Sequence, residues 1–216
     1  MKYEETAPPQ KGLVIGVTGI TGSGTSTVSA ILAQQGGYVI SADKLAHSLM
    51  KKGQAPYYEI LQAFGDGAQH TTSLLDPTGE INRRALGALV FTSPTKLKLL
   101  EAIMHPHVIA TTQQLIEGYF NEATANFAVI DAPLLIEAGL HTICNSLWLV
   151  TAPDHVRLAR IQARDNIDLQ TATHRLNSRS GDNALKQYAD IIIENNGDLE
   201  SLRGNVLLHL GRIGER

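Results

Sequence analysis

Residues 13–28 read LVIGVTGITGSGTSTV, and no other stretch of the chain restricts its fold as strongly. The first six residues are an apolar run carrying Val and Ile, the length of one buried strand. Gly19, Gly22 and Gly24 follow, then Ser26 and Thr27, and Val28, Ala30, Ile31, Leu32 and Ala33 predict a helix. Strand, glycine loop and helix form the setting in which G-x-x-x-x-G-K-[ST] cradles phosphate. Residues 19–26 fit every position but one, because Thr25 stands where the lysine belongs. Glycines let neighbouring N–H groups turn inward around an anion, and the helix start near Gly24 adds its positive end. Ser26 offers a hydroxyl suited to a magnesium ion on the phosphates, whereas Thr25 offers no charge. Losing one such charge costs a factor of roughly 10²–10³ in rate, which slows an enzyme without necessarily silencing it, and another cation could fill the gap. A glycine-rich turn that binds nothing is the competing reading.

The 216 residues, 43% of them hydrophobic, suffice for one α/β domain with an insertion. A net charge of −3 gives no general attraction to nucleic acid or to an anionic membrane. One cysteine, Cys144, excludes an internal disulfide and fits a reducing cytosol. No apolar run approaches the length of a membrane span. Residues 1–12 are polar, contain Pro8 and Pro9, and read as a loose leader without a signal peptide's apolar centre.

Further strands are predicted at 37–41, 126–131, 146–151 and 190–193, alternating with helices, which implies a mostly parallel sheet covered on both faces. Asp43 lies just past the second strand, at the edge where open α/β sheets bind ligands. It suits either a helix N-cap or a group that accepts a proton from an acceptor hydroxyl. Asp131, at the end of the third strand, suits an anion facing magnesium-bound water or a cap for the loop after it.

Between about 55 and 122 strand-like alternation disappears, and this block reads as an inserted helical subdomain. Ser93 and Pro94 predict a helix start, with Leu97, Leu100 and Met104 as its apolar stripe. The segment His105-Pro106-His107 is expected to break that helix. Two histidines around a proline supply too few ligands for a metal site. Arg83 and Arg84 form a basic pair, ordinarily a solvated face. Arg157, Arg160 and Arg164 share one helix face, and Arg175 and Arg179 share another. They read equally well as a phosphate-neutralising lid or as surface residues paired with Asp154, Asp165 and Asp168. Asn195 and Gly197 form a turn that could also meet an adenine edge. A final amphipathic helix is predicted with Leu199, Leu202, Val206 and Leu210 inward.

Taken in order, these segments resemble the dephospho-coenzyme A kinase family. The resemblance runs through the glycine loop, Ala42-Asp43, the set Gly79, Ile81, Arg83, Leu86, Val90 and Phe91, and the run Leu100-Glu101-Ala102-Ile103-Met104-His105-Pro106. It continues through 131–137, with Ile136 in place of an aromatic, then Arg160 to Asp165 with Arg175, and Ile193-Glu194-Asn195-Asn196-Gly197. It implies a P-loop kinase core with a five-stranded parallel sheet flanked by helices, a helical CoA-binding subdomain and an arginine-bearing lid. The implied boundaries are 13–54 with 123–216 for the core, 55–122 for the subdomain and about 155–182 for the lid.

The implied activity moves the γ-phosphoryl of ATP, with Mg2+, to the 3′-hydroxyl of dephospho-CoA, in a cytoplasmic monomer or small homo-oligomer that needs no nucleic acid or membrane. Under that resemblance Gly22, Ser23, Gly24, Thr25, Ser26 and Thr27 hold the ATP phosphates and Ser26 holds the metal. Asp43 deprotonates the ribose hydroxyl, Arg160 and Arg164 clamp phosphates, and Asn195 and Gly197 flank adenine. Arg83, His105, Asp131, Pro133 and Leu134 lie along the dephospho-CoA side. Thr25 departs from the family pattern, and Arg179 stands where the family often has Gln. Archaeal cytidylate kinases are similar in carrying Thr at the loop-lysine position. Arg160 or Arg179 is expected to supply the missing charge. A non-catalytic nucleotide-binding relative, or a kinase of another small hydroxyl acceptor, are the competing functions.

Overall fold

The computed structural model describes residues 12–65, 74–122, 127–177 and 182–214. Five strands, β1 (Leu13–Thr18), β2 (Tyr38–Ser41), β3 (Phe127–Asp131), β4 (Ser146–Thr151) and β5 (Ile191–Glu194), form one sheet in the order β2-β3-β1-β4-β5. Every pairing is parallel, so the α/β class and the five strands expected from the sequence are present. β1 is central. The chain goes to one side of it for β2 and β3 and to the other for β4 and β5, and such a switch point opens a crevice at the strands' carboxyl ends.

One face of the sheet is closed by α1 (Thr25–Gln34) and α9 (Leu199–Gly214). Ile15, Val17, Phe127, Val129, Trp148, Val150 and Ile193 alternate along the strands to meet Val28, Ile31, Leu32, Leu202, Val206 and Leu210. Trp148 and Phe127 are wholly inaccessible, and burying such a side chain stabilises by about 1.5–3 kcal/mol. Trp148 Nε1 donates to Ser146 Oγ at 3.2 Å, so its one polar atom is not stranded. On the other face Gly16 is met closely. A Cβ there would lie 2.7 Å from Cys144 Sγ and 2.8 Å from Leu135 Cδ2. Burial pushes the Cys144 thiol up to about 12, which makes it an inert packing group.

The chain forms two compact units, Met1–Ser41 with Leu115–Arg216, and Ala42–Gln114. The second contains α2 (Ala42–Leu49), α3 (Ala55–Phe64), α4 (Arg83–Phe91) and most of α5 (Pro94–Glu122). Its limits differ from the 55–122 read from composition, for local reasons. α2 packs on α3, while the last turns of α5 belong with the sheet, where Tyr119 stacks on Tyr38 at 4.2 Å.

Asn82 caps α4 by accepting from the Ala85 N–H at 3.1 Å. Asp76 Oδ1 closes a turn by accepting from Thr78 N–H at 2.8 Å and Glu80 N–H at 3.1 Å. Gly79 completes the turn at φ 81, and its carbonyl accepts from Tyr57 Oη–H at 2.5 Å.

The expected break at His105-Pro106-His107 does not occur: α5 runs through Pro106 without interruption. A proline costs one backbone hydrogen bond. Buried Met104 and Val108 flank it, and their packing holds the helical path. His107 Nε2 pairs with Glu59 Oε1 at 2.8 Å. Among the described residues no three His, Cys, Asp or Glu side chains gather, and no helix is long and apolar enough to cross a membrane.

Candidate functional site

The loop between β1 and α1 is built to hold its backbone in an unusual path. Gly22 at φ 85 and Gly24 at φ 101 both adopt left-handed angles. Gly24 is the N-cap position of α1 and provides no side-chain cap. Helix geometry leaves the N–H groups of Thr25 and Ser26 without acceptors inside α1, so they remain donors at the positive end of the helix. Ser26 and Thr27 are exposed and Thr25 half-buried, which leaves the first turn accessible.

The loop is also gripped from outside. A Cβ on Gly19 would sit 2.5 Å from both Ser23 Oγ and the Val150 carbonyl. One on Gly22 would meet the Arg157 backbone at 2.9 Å, and one on Gly24 would collide with Asn195 Nδ2. Glycine is therefore demanded at these positions by neighbouring protein as well as by the turn itself.

The grip comes from α6 (Asp154–Asp165) and from the turn after β5. Arg160 Nη1 donates to the carbonyls of Gly22 and Ser23 at 3.4 and 3.2 Å. Its Nη2 donates to the Asn195 carbonyl and Oδ1 at 3.2 and 3.1 Å. Asn195 Nδ2 donates to the Ser23 carbonyl at 2.8 Å. Asn195 is buried, and both ends of its amide serve the loop and Arg160. Its side-chain amide is engaged with the phosphate loop and Arg160. Gly197 sits in an exposed turn.

Arg164 is exposed and forks onto Asp165, Nε to Oδ1 at 2.7 Å and Nη2 to Oδ2 at 3.0 Å. Arg175, on α7 (Leu169–Asn177), reaches the same carboxylate. The Arg164 hydrogen bond, helped by both positive charges, holds the Asp165 carboxyl down at about 2. Arg179 lies outside the described residues.

Asp131 ends β3 in register with Val17 on one side and Ser41 on the other. Beyond it, Pro133 and Leu134 line a cavity of about 390 Å³ together with Gly19 and Ile20 of the loop. Leu185, at the end of α8 (Asp182–Lys186), and Tyr188 close its far wall. Sequence reasoning passed over Leu185 and Tyr188, because nothing local marks a segment far along the chain as a neighbour of the loop. Asp43 is exposed in the first turn of α2 and inside the helix, so it is not an N-cap. Arg83 is exposed at the start of α4, and His105 is half-buried on α5.

The family model described as dephospho-CoA kinase matches residues 13–201. The dephospho-CoA kinase of Moorella thermoacetica is 37% identical over 193 residues, covering 89% of this chain and 88% of its own. A solved Thermus thermophilus protein superposes with a TM-score of 0.73 at 29% identity, covering 96% of this chain and 99% of its own. The dephospho-CoA kinase of Campylobacter jejuni superposes with a TM-score of 0.59 at 26% identity, covering 94% and 98%. Strand order, glycine loop and sequence agree, and the chain belongs to the dephospho-CoA kinase family.

Proposed function

We propose that this protein transfers the γ-phosphoryl group of ATP to the 3′-hydroxyl of dephospho-CoA. The observation that carries the reading is the loop of residues 19–26, whose left-handed glycines and open helix start suit an anion. Family membership supplies the substrate class.

In this reading the amides of Gly22, Ser23, Gly24, Thr25, Ser26 and Thr27 bind the ATP phosphates. The oxygen donors Ser26 and Asp131 suit a hard cation, directly or through water, and a bound Mg2+ would neutralise charge on those phosphates. The Asp43 carboxylate accepts the proton of the 3′-hydroxyl. The freed oxygen forms a bond to the γ-phosphorus as the bridging bond to the β-phosphate breaks, and ADP leaves. Arg164 lends charge from the lid. Pro133 and Leu134 give the acceptor an apolar wall, and Arg83 and His105 bind its anionic and polar parts.

A coupled ADP-release assay with ATP, magnesium and dephospho-CoA tests this directly. Turnover is expected with dephospho-CoA, and Asp43→Asn should lower kcat by roughly 10²–10⁴ with little change in the KM for ATP. Thr25 favours a second reading, a nucleotide-binding relative without turnover. ATP binding with no ADP release would select it, and turnover only with other hydroxyl acceptors would reassign the substrate.

A further inference from the structure

Arg157 is a buried cation with unanswered donors. Its residue is 4% exposed, and its Cβ lies where a Cβ on Gly22 would be only 3.0 Å away. Nη2 donates to Asp154 Oδ1 at 2.8 Å, one turn back on the same helix. Among the described residues, Nε and Nη1 have no acceptor, although both are inaccessible. A guanidinium stays protonated whatever its surroundings. Burying one with two unmet donors is unfavourable unless something accepts from them, and folded chains rarely leave such groups unmet. Asp154 gives limited compensation, because its carboxylate is 77% exposed and screened by water.

The location gives those donors a use. The phosphate loop has no cation of its own, since Thr25 occupies the lysine position. Arg160 also sits beside the loop, but both of its terminal nitrogens are spent on carbonyls and on Asn195. The same contacts strap α6 against the loop one turn beyond Arg157 and hold it there. Ser23 Oγ, within the loop, is a second buried polar atom without a partner among the described residues. The backbone and Cβ of Arg157 thus lie against Gly22 of a loop that lacks its own cation, and the side chain that leaves this contact keeps two donors in reserve.

We propose that Arg157 carries the positive charge of this phosphate loop, with Nε and Nη1 donating to a phosphate group of the bound nucleotide in place of the absent lysine. The inference rests on the reading that the loop binds ATP. It also assigns a purpose to Thr25: a lysine there would bring a second full charge against a guanidinium already in place.

Calorimetric titration of the full chain with ATP and magnesium tests it, with adenosine as the phosphate-free control. Arg157→Gln should weaken ATP binding by about 10- to 100-fold and leave adenosine binding as it was. Adding Thr25→Lys to Arg157→Gln should recover most of the loss, because the charge is restored from the loop side. A folded Arg157→Gln protein with unchanged ATP affinity overturns the inference while the proposed function stands. If the unsubstituted protein binds no ATP, the proposed function itself falls and takes the inference with it. A measurement on the unsubstituted protein covers the case in which Arg157→Gln does not fold. The 15Nε–H resonance of Arg157, assigned through its side-chain carbons, should shift on saturation with ATP and not with adenosine. A resonance unmoved by ATP rejects the inference.

Discussion

Gly24 holds a left-handed angle, begins α1, and leaves no room for a Cβ beside the Asn195 amide. Gly24→Ala therefore meets two penalties at once. The backbone angle alone costs about 1–2 kcal/mol, and Asn195 must also surrender its bond to the Ser23 carbonyl. A urea denaturation midpoint should fall accordingly, and ATP affinity should fall with it because the loop amides lose their alignment. Trp148 has a different kind of importance. It is fully buried among residues of α1, α9 and the neighbouring strands. Trp148→Ala should cost about 3–5 kcal/mol, read as a lowered midpoint with the denaturant slope unchanged. The spacing of the glycines identified the loop from sequence alone. Their second duty, making way for α6 and Asn195, was not legible, since those partners lie more than a hundred residues away.

Among the elements, α5 is the clearest departure from local expectation. A proline in the middle of a helix lacks a donor and crowds the preceding turn, so a break was the reasonable expectation. Instead, packing on both sides carries the helix through Pro106. Pro106→Ala would restore the hydrogen bond and should stabilise the protein by up to about 3 kcal/mol, measured by thermal or chemical unfolding. The pairing of α6 with α7 has its own signature. Asp165 titrates at about 2 in the folded protein against an ordinary 3.8, so its stabilising effect is complete above roughly pH 4 and is lost as the pH falls toward 2. The melting temperature of Asp165→Asn should therefore lie below that of the unsubstituted protein at pH 6, with the gap closing between about pH 4 and 2. The exposure of Arg164 and Arg175 keeps the effect small, and added salt should reduce it further.

At the scale of the whole molecule, the strand count and the parallel pairing follow from short apolar runs separated by helices, while the central place of β1 emerges only in the folded sheet. The count and the pairing are written locally, because strand period, glycine spacing and capping residues each act within a few residues of the chain. The sequence by itself therefore determined the α/β class, the phosphate loop and the family to which the chain is related. It could also show that Arg157, Arg160 and Arg164 share a helix face, since that is a matter of helical period. What each arginine meets was decided only in three dimensions. One straps the loop carbonyls, one pairs with a neighbouring carboxylate, and one is buried with donors unspent. Helical period fixes a direction around an axis. The neighbour found in that direction depends on how α6 packs against a loop laid down well over a hundred residues earlier, and no local pattern encodes that distance.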